Sequence, residues 1–176
     1  MLSYVYLEKD QKIKAARSIE ATLELIQSQK KPNLDNLAYA KHTLGAIQFE
    51  LGEDPMESYS EAEKLAPTDK NSPLLGYIKS DIAEYYISKG NFFDAEQKLL
   101  ISNEILSTMF KPTHPSLLDN DYMLVSVYLS TQRAPMAIEI LKTLHSRIVK
   151  LHQNKQNFSD QSVSISKRYV SFAISK

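Results

Sequence analysis

Histidines and carboxylates are the residues of this sequence that could act as metal ligands or as general acids and bases. His145 and His152 are seven positions apart and would share one face of a helix. A metal ion would need a third ligand beside them, but their neighbour on that face is the cation Lys142. Asp81 and Glu84, three positions apart, form the best carboxylate pair for acid–base chemistry. Both groups are more typical of an exposed or groove-lining helix face, so we expect no metal site and no catalytic site.

Sequence motifs of the common enzyme classes are also absent. There is no His-Glu-x-x-His, no Gly-x-x-x-x-Gly-Lys-Ser/Thr and no Gly-x-Ser-x-Gly. The 4 glycines are scattered, which leaves no loop to surround a phosphate group. The sequence therefore predicts a protein that is not an enzyme and uses no cofactor.

Length and composition favour one helical domain. The 176 residues can bury a core without disulfides, and there is no cysteine to form a disulfide or a zinc–thiolate site. Glycine is scarce, while alanine, leucine, glutamate and lysine are plentiful. No apolar run reaches the roughly 18 residues of a membrane span, and the N-terminal residues lack the pattern of a signal peptide. We expect a cytoplasmic protein, or a periplasmic one if the chain is a piece of a larger protein.

Charge is distributed unevenly along the chain although the net charge is zero. Residues 1–132 carry 13 Lys or Arg and 19 Asp or Glu, a net charge of −6. Residues 133–176 carry 8 Lys or Arg and 2 Asp or Glu, a net charge of +6. Solvated helix faces explain this most simply, but attraction between the two ends, or of an acidic partner to the C-terminal end, is the alternative.

Residues of the same type recur at a separation of 42 positions. The matching pairs are Pro73 and Pro115, Leu75 and Leu117, Ile82 and Leu124, Ala83 and Val125, Tyr86 and Tyr128, and Ala95 and Ala137. A period of this size indicates stacked supersecondary units.

Each unit reads as two helices. From Pro73 to Met109, apolar residues recur at helical spacing, and the pattern is interrupted once. At the interruption, Gly90 suits a left-handed helix end and Asn91 suits the cap of the next helix. In the following unit Thr113 is the expected cap. Turns of about three residues force the two helices to be antiparallel neighbours. Small residues at repeated places in the pattern, such as Ala95, predict close helix crossings.

These repeated positions resemble the tetratricopeptide repeat (TPR) signature. The residues that carry the resemblance are Leu44-Gly45, Gly52, Tyr59, Ala62 and Pro67 in one unit, Ile82-Ala83, Tyr86, Gly90-Asn91-Phe92 and Ala95 in the next, and Leu124-Val125, Tyr128 and Ala137 in the third. The 42-residue spacing and the pair His114-Pro115 resemble the longer variant of kinesin light chains and of many bacterial regulatory proteins. No tryptophan occupies the early aromatic place, and Gln132 stands where the family has a turn glycine.

The resemblance implies an all-α fold, a right-handed superhelix of three to four antiparallel helix pairs. We expect one domain over residues 1–176, with repeats at about 32–70, 71–112 and 113–156. Partial repeats at 1–31 and 157–176 would flank them, as in a fragment of a longer array. A HEAT-like solenoid, whose period overlaps, is the alternative fold.

By the same resemblance, the first helix of each pair would line a concave groove. The predicted groove residues are Tyr39, His42 and Phe49 in the first unit, Tyr77, Asp81 and Glu84 in the second, and Tyr122, Met123 and Ser126 in the third. A wider set adds Ala46, Glu50, Ser80, Ile87, Asp119 and Leu129.

Binding of a protein or peptide is the function that this groove implies. Aromatic and methionine side chains suit peptide contacts, and the acidic ones favour a basic or amphipathic partner. The chain would be a scaffold or a regulatory module, for example in a larger bacterial signalling protein. Self-association through the apolar terminal helices is a second expected interaction. Nucleic-acid binding through the basic C-terminal third is the alternative, although no aromatic residues alternate with those charges.

Overall fold

The computed structural model describes residues 12–67 and 72–153, and within these ranges it contains helices and no strands. The helices are α1 (Lys12–Gln27), α2 (Leu34–Glu50), α3 (Met56–Leu65), α4 (Leu74–Ser88), α5 (Phe92–Ser107), α6 (Pro115–Ser130) and α7 (Ala134–Gln153). The all-α prediction is therefore confirmed. The first 11 residues of the expected partial repeat at 1–31 and the whole of the one at 157–176 lie outside the described residues.

Helices α2 to α7 form three antiparallel pairs, α2/α3, α4/α5 and α6/α7. Every helix packs against the helices before and after it in the sequence. In addition, α2 contacts α4, and α4 contacts α6. The first helices of the pairs therefore lie side by side in one layer, and we call their side-by-side surface the first-helix wall.

The turn within each pair places one residue in the left-handed region. Gly52 and Gly90 have φ values of 79° and 74°, as expected for glycine at a helix end. Gln132 has a φ of 57° at the equivalent place, so the turn is kept although the glycine is not. In the second pair, Asn91 N donates to Tyr86 O at 2.9 Å, which closes the last turn of α4.

Of the two predicted caps, the one at Asn91 is present and the one at Thr113 is not. The side chains of Asn33 and Asn91 accept hydrogen bonds from the backbone at the starts of α2 and α5. The prediction that Thr113 caps α6 is wrong, because His114 is the cap and its Nδ1 accepts from the backbone N–H of Ser116. Proline occupies the first position of α6, and this fixes the preceding residue as the cap.

Small residues allow close contact between the two helices of a pair, as predicted. Ala83, Ala95 and Ala137 are fully buried in the core between α4, α5, α6 and α7. A Cβ at Gly45 would lie 2.5 Å from the ring of Tyr59, which is itself buried. A larger side chain at any of these places would separate the helices.

A buried amide connects the second pair to the third. Asn120 is completely buried, and its Oδ1 accepts a hydrogen bond from Ser80 Oγ at 2.6 Å. Its Nδ2 donates to Ser102 Oγ at 2.8 Å and to Asn103 Oδ1 at 2.9 Å. The Asn120 side chain therefore joins α4, α5 and α6 with its hydrogen-bonding groups satisfied.

Enlarging the alanines at the crossings tests the close contact. Ala95→Leu and Ala137→Leu should each lower the free energy of unfolding by about 1–3 kcal/mol through overpacking. Ala21→Leu, on an exposed face of α1, is the matched control and should change stability by less than about 0.5 kcal/mol. Urea denaturation measures all three. Unchanged stability in both crossing variants would contradict the packing described above.

Removing the buried amide tests the junction between pairs. Asn120→Ala should destabilise the fold by about 1–3 kcal/mol, because Ser80, Ser102 and Asn103 lose a shared partner. The exposed Asn36→Ala on α2 is the control and should have little effect. Chemical denaturation of both variants, with hydrogen exchange of α6, gives the comparison. Equal stability of the two variants would mean that the network contributes nothing.

Candidate functional site

The predicted groove residues lie on the three helices of the first-helix wall. Tyr39, His42 and Phe49 are on α2, Tyr77, Asp81 and Glu84 are on α4, and Tyr122, Met123 and Ser126 are on α6. The structure brings some of them together and directs others into contacts between helices.

A cleft of about 300 Å³ opens where α2, α3 and α4 meet. Its lining residues are Ala46, Phe49, Glu50, Tyr59, Asp81 and Glu84. Three of the nine predicted groove residues and two of the wider set therefore share one cleft. Tyr59 belongs to α3, a second helix, and was not among the predicted groove residues. The glycine at position 45 was the signal in the sequence that could have identified Tyr59, because the missing side chain on α2 leaves room for its ring.

His42 supports this cleft and is itself largely covered. Its side chain is buried, with Nε2 2.6 Å from Asp81 Oδ2 on the neighbouring first helix. The ring centroid lies 6.0 Å from that of Tyr59. His42 therefore fixes the position of the Asp81 carboxylate and ties α2 to α4, and only a small part of its surface faces solvent.

The cleft is acidic and partly aromatic. Glu50, Asp81 and Glu84 provide three carboxylates around it, and the cation Lys12 lies 3.3 Å from Glu50 on the exposed edge. Phe49 packs edge-on against Tyr85, with ring centroids 6.3 Å apart, which holds its ring in place. Carboxylates attract a cationic group, and aromatic rings beside them contact its aliphatic stem.

Tyr77 lies away from this cleft, at the start of α4. Its ring stacks on Phe110 at a centroid distance of 6.4 Å, and Phe110 stacks on His114 at 3.8 Å. Burial raises the pKa of the Tyr77 hydroxyl, which also forms a side-chain hydrogen bond with Ser116. Burial likewise lowers the pKa of His114. This stack connects α4 with the turn before α6.

The α6 part of the wall is less open. Met123 packs against the core cluster that contains Ala83 and Leu124, while Tyr122 and Ser126 are half-buried. Asp119, from the wider predicted set, is half-buried, and its Oδ1 atom is buried without a hydrogen-bond partner among the described residues. Burial raises the pKa of its carboxyl group from 3.8 to about 6.

The structure also locates the residues that were considered for metal binding and for nucleic-acid binding. In the described part of the chain, no group of three or more His, Asp or Glu residues is arranged to hold a metal ion. No helix in the same ranges combines the length and the apolar character needed to cross a membrane. Of the basic residues considered for nucleic-acid binding, Arg147 donates to Asp121 at 2.5 Å, and Lys142 lies 3.7 Å from Glu139. His145 is exposed on α7, and the side chain of His152 lies outside the described residues.

Neutralising Asp119 tests the effect of its burial. Because its folded-state pKa lies above the ordinary value, ionisation of Asp119 makes stability fall as the pH rises from about 4 to about 6. Asp119→Asn removes this cost, so at pH 7 the variant should be more stable by about 1 kcal/mol, a value reduced for the partial exposure of the group. Its advantage should disappear near pH 4.

Urea midpoints of both proteins at pH 4, 5, 6 and 7 measure the difference. The exposed Asp35→Asn variant on α2 is the control and should show no gain that grows with pH. If Asp119→Asn is no more stable than the parent at pH 7, the Asp119 carboxylate of the parent is well solvated.

Comparison with known proteins identifies solved structures with a similar fold. No protein-family model matches the sequence, and no curated protein matches it. Among solved structures, a protein described as a kinesin light chain from Podosopora anserina, with nearly identical TPR-like repeats, is similar with a TM-score of 0.71 and 16% identity. The match covers 89% of this chain and 74% of that protein.

Two further structures are similar over most of this chain. BtubC (BKLC) from P. vanneervenii has a TM-score of 0.74 and 16% identity, covering 90% of this chain and 64% of its own. The apo form of RapI also has a TM-score of 0.74 and 16% identity, covering 98% of this chain and 66% of its own. This chain thus spans about two-thirds of those two proteins. The similarity confirms that the chain has a TPR-like helical-repeat fold.

Proposed function

We propose that this protein binds a segment of another protein along the first-helix wall. The observation that carries the proposal is the cleft between α2, α3 and α4, where residues of two neighbouring pairs meet around one opening. A surface built from adjacent repeats offers an extended partner several contacts in a row. The TPR-like fold supports the proposal, since it presents such a layer of first helices.

The chemistry of the cleft favours a basic side chain of the partner. Glu50 and Glu84 are exposed, and Asp81 is held at the opening by His42. A lysine or arginine entering between these carboxylates could lay its aliphatic stem along Phe49. Charge complementarity of this kind increases the association rate and selects the orientation of the partner.

Apolar contacts beyond the cleft would favour an amphipathic segment. Tyr39, on α2, is 45% exposed, and Tyr77 is half-buried on α4. Both belong to the same layer of first helices as the acidic cleft. Tyrosine gives a large contact area at low entropic cost, and it is enriched where binding energy concentrates. We therefore propose a partner segment with at least one basic residue and an apolar side.

A larger role follows only as a prediction from the sequence. A scaffold or regulatory module of a bacterial signalling protein, in the cytoplasm, remains the expected setting.

A peptide library tests the proposal directly. Selection on the intact chain should enrich peptides that contain Lys or Arg together with apolar residues. Glu50→Lys and Glu84→Lys should each weaken binding of an enriched peptide by about tenfold at low salt, because they place like charges in contact. Isothermal titration calorimetry of each variant measures the change.

Glu24→Lys on α1 is the matched control, because it makes the same charge change at an exposed position off the wall. It should leave the affinity within about twofold of the parent. Equal weakening by all three variants would mean that only net charge matters. Enrichment of no peptide, or of acidic peptides, would contradict the proposed partner.

A further inference from the structure

The last described helix exposes apolar side chains where its counterpart is covered. Ile138 and Leu141 on α7 are 51% and 42% exposed. Their counterparts 42 positions earlier on α5 are Glu96 and Leu99, which are 9% and 0% exposed. The same face of the second helix is therefore buried in one pair and open in the next.

Contacts with the following pair explain the burial on α5. Leu99 lies in one core cluster with Leu124 and Tyr128 of α6. Glu96 forms an ion pair with Arg133, which follows α6, at 2.6 Å. This face of α5 thus packs against the first helix of the following pair. On α7, the apolar residues Ile138 and Leu141 occupy the equivalent places.

The sequence after α7 has the spacing of such a first helix. Leu117, Leu124 and Tyr128, separated by seven and four positions, are among the residues that α6 buries. In α4, Leu75, Ile82 and Tyr86 have the same separations. Beyond α7, the separations of seven and four recur at Val163, Val170 and Ile174. These three residues lie outside the described ranges.

We propose that Val163, Val170 and Ile174 of the same chain cover Ile138 and Leu141, as α6 covers α5. The face of α7 is then an intramolecular docking surface for a fourth first helix. This helix would stand beside α6 and lengthen the first-helix wall by one element, so that a bound partner could extend past the third pair. A second copy of the chain, or no cover, would be the competing outcomes.

Thiol labelling tests the proposal. Because the chain contains no cysteine, a single introduced thiol is the only group that the reagent labels. Leu141→Cys places a thiol on the α7 face. Leu100→Cys on α5 is the matched control, since Leu100 has a similar exposure of 45%. In the intact chain, the thiol at 141 should react about tenfold more slowly than the thiol at 100, at a rate independent of protein concentration.

Acidic substitutions in the covering segment complete the test. Adding Val163→Asp and Val170→Asp to Leu141→Cys should bring its reaction rate to that of the control. Ala137→Cys, which faces α6, is combined with Val163→Asp and Val170→Asp but not with Leu141→Cys. Its thiol should stay protected, which checks that α7 remains packed. Equal rates at 141 and 100 in the parent would overturn the proposal. Protection that grows with concentration, together with a dimer in sedimentation, would assign the face to a second copy and also overturn it.

Discussion

Close contact between the two helices of a pair is the constraint on which the rest of this structure depends. A glycine or alanine at the crossing lets the backbones approach, and the ring of Tyr59 fills the space above Gly45. Because the turns are short, this contact fixes the angle of each pair, and the pairs can then stack with their first helices side by side. The cleft opens where two such pairs meet, so its shape follows from the packing within each pair, and Tyr59 takes part in both the crossing and the cleft.

Much of the fold follows from the sequence because the signals are local or periodic. The 42-residue spacing, the left-handed Gly90 and the cap at Asn91 each depend on residues near one another in the chain. The exception at the start of α6 is instructive, because Thr113 and His114 are both reasonable caps and only the proline position separates them.

The side-chain partners of the candidate site were harder to predict. His42 and Asp81 are 39 residues apart, and their contact depends on how two pairs rotate relative to each other. Periodicity gave the helix face but not the partner, so His42 was expected at an open groove and instead holds a carboxylate in place. Tyr59 was missed for a related reason: the cleft takes one wall from a second helix, whereas the resemblance pointed to first helices alone.

The polar contacts between pairs have a consequence for assembly. The α2–α4 junction includes the contact of His42 with Asp81, whereas the α4–α6 junction includes that of Ser80 with Asn120. An amide stacked against the wrong hairpin would lose its hydrogen bonds in a dry interior, a penalty that similar hairpins with purely apolar sides would not impose. The three hairpins are thus not interchangeable, and the chain resists out-of-order stacking or exchange of hairpins between molecules while it folds.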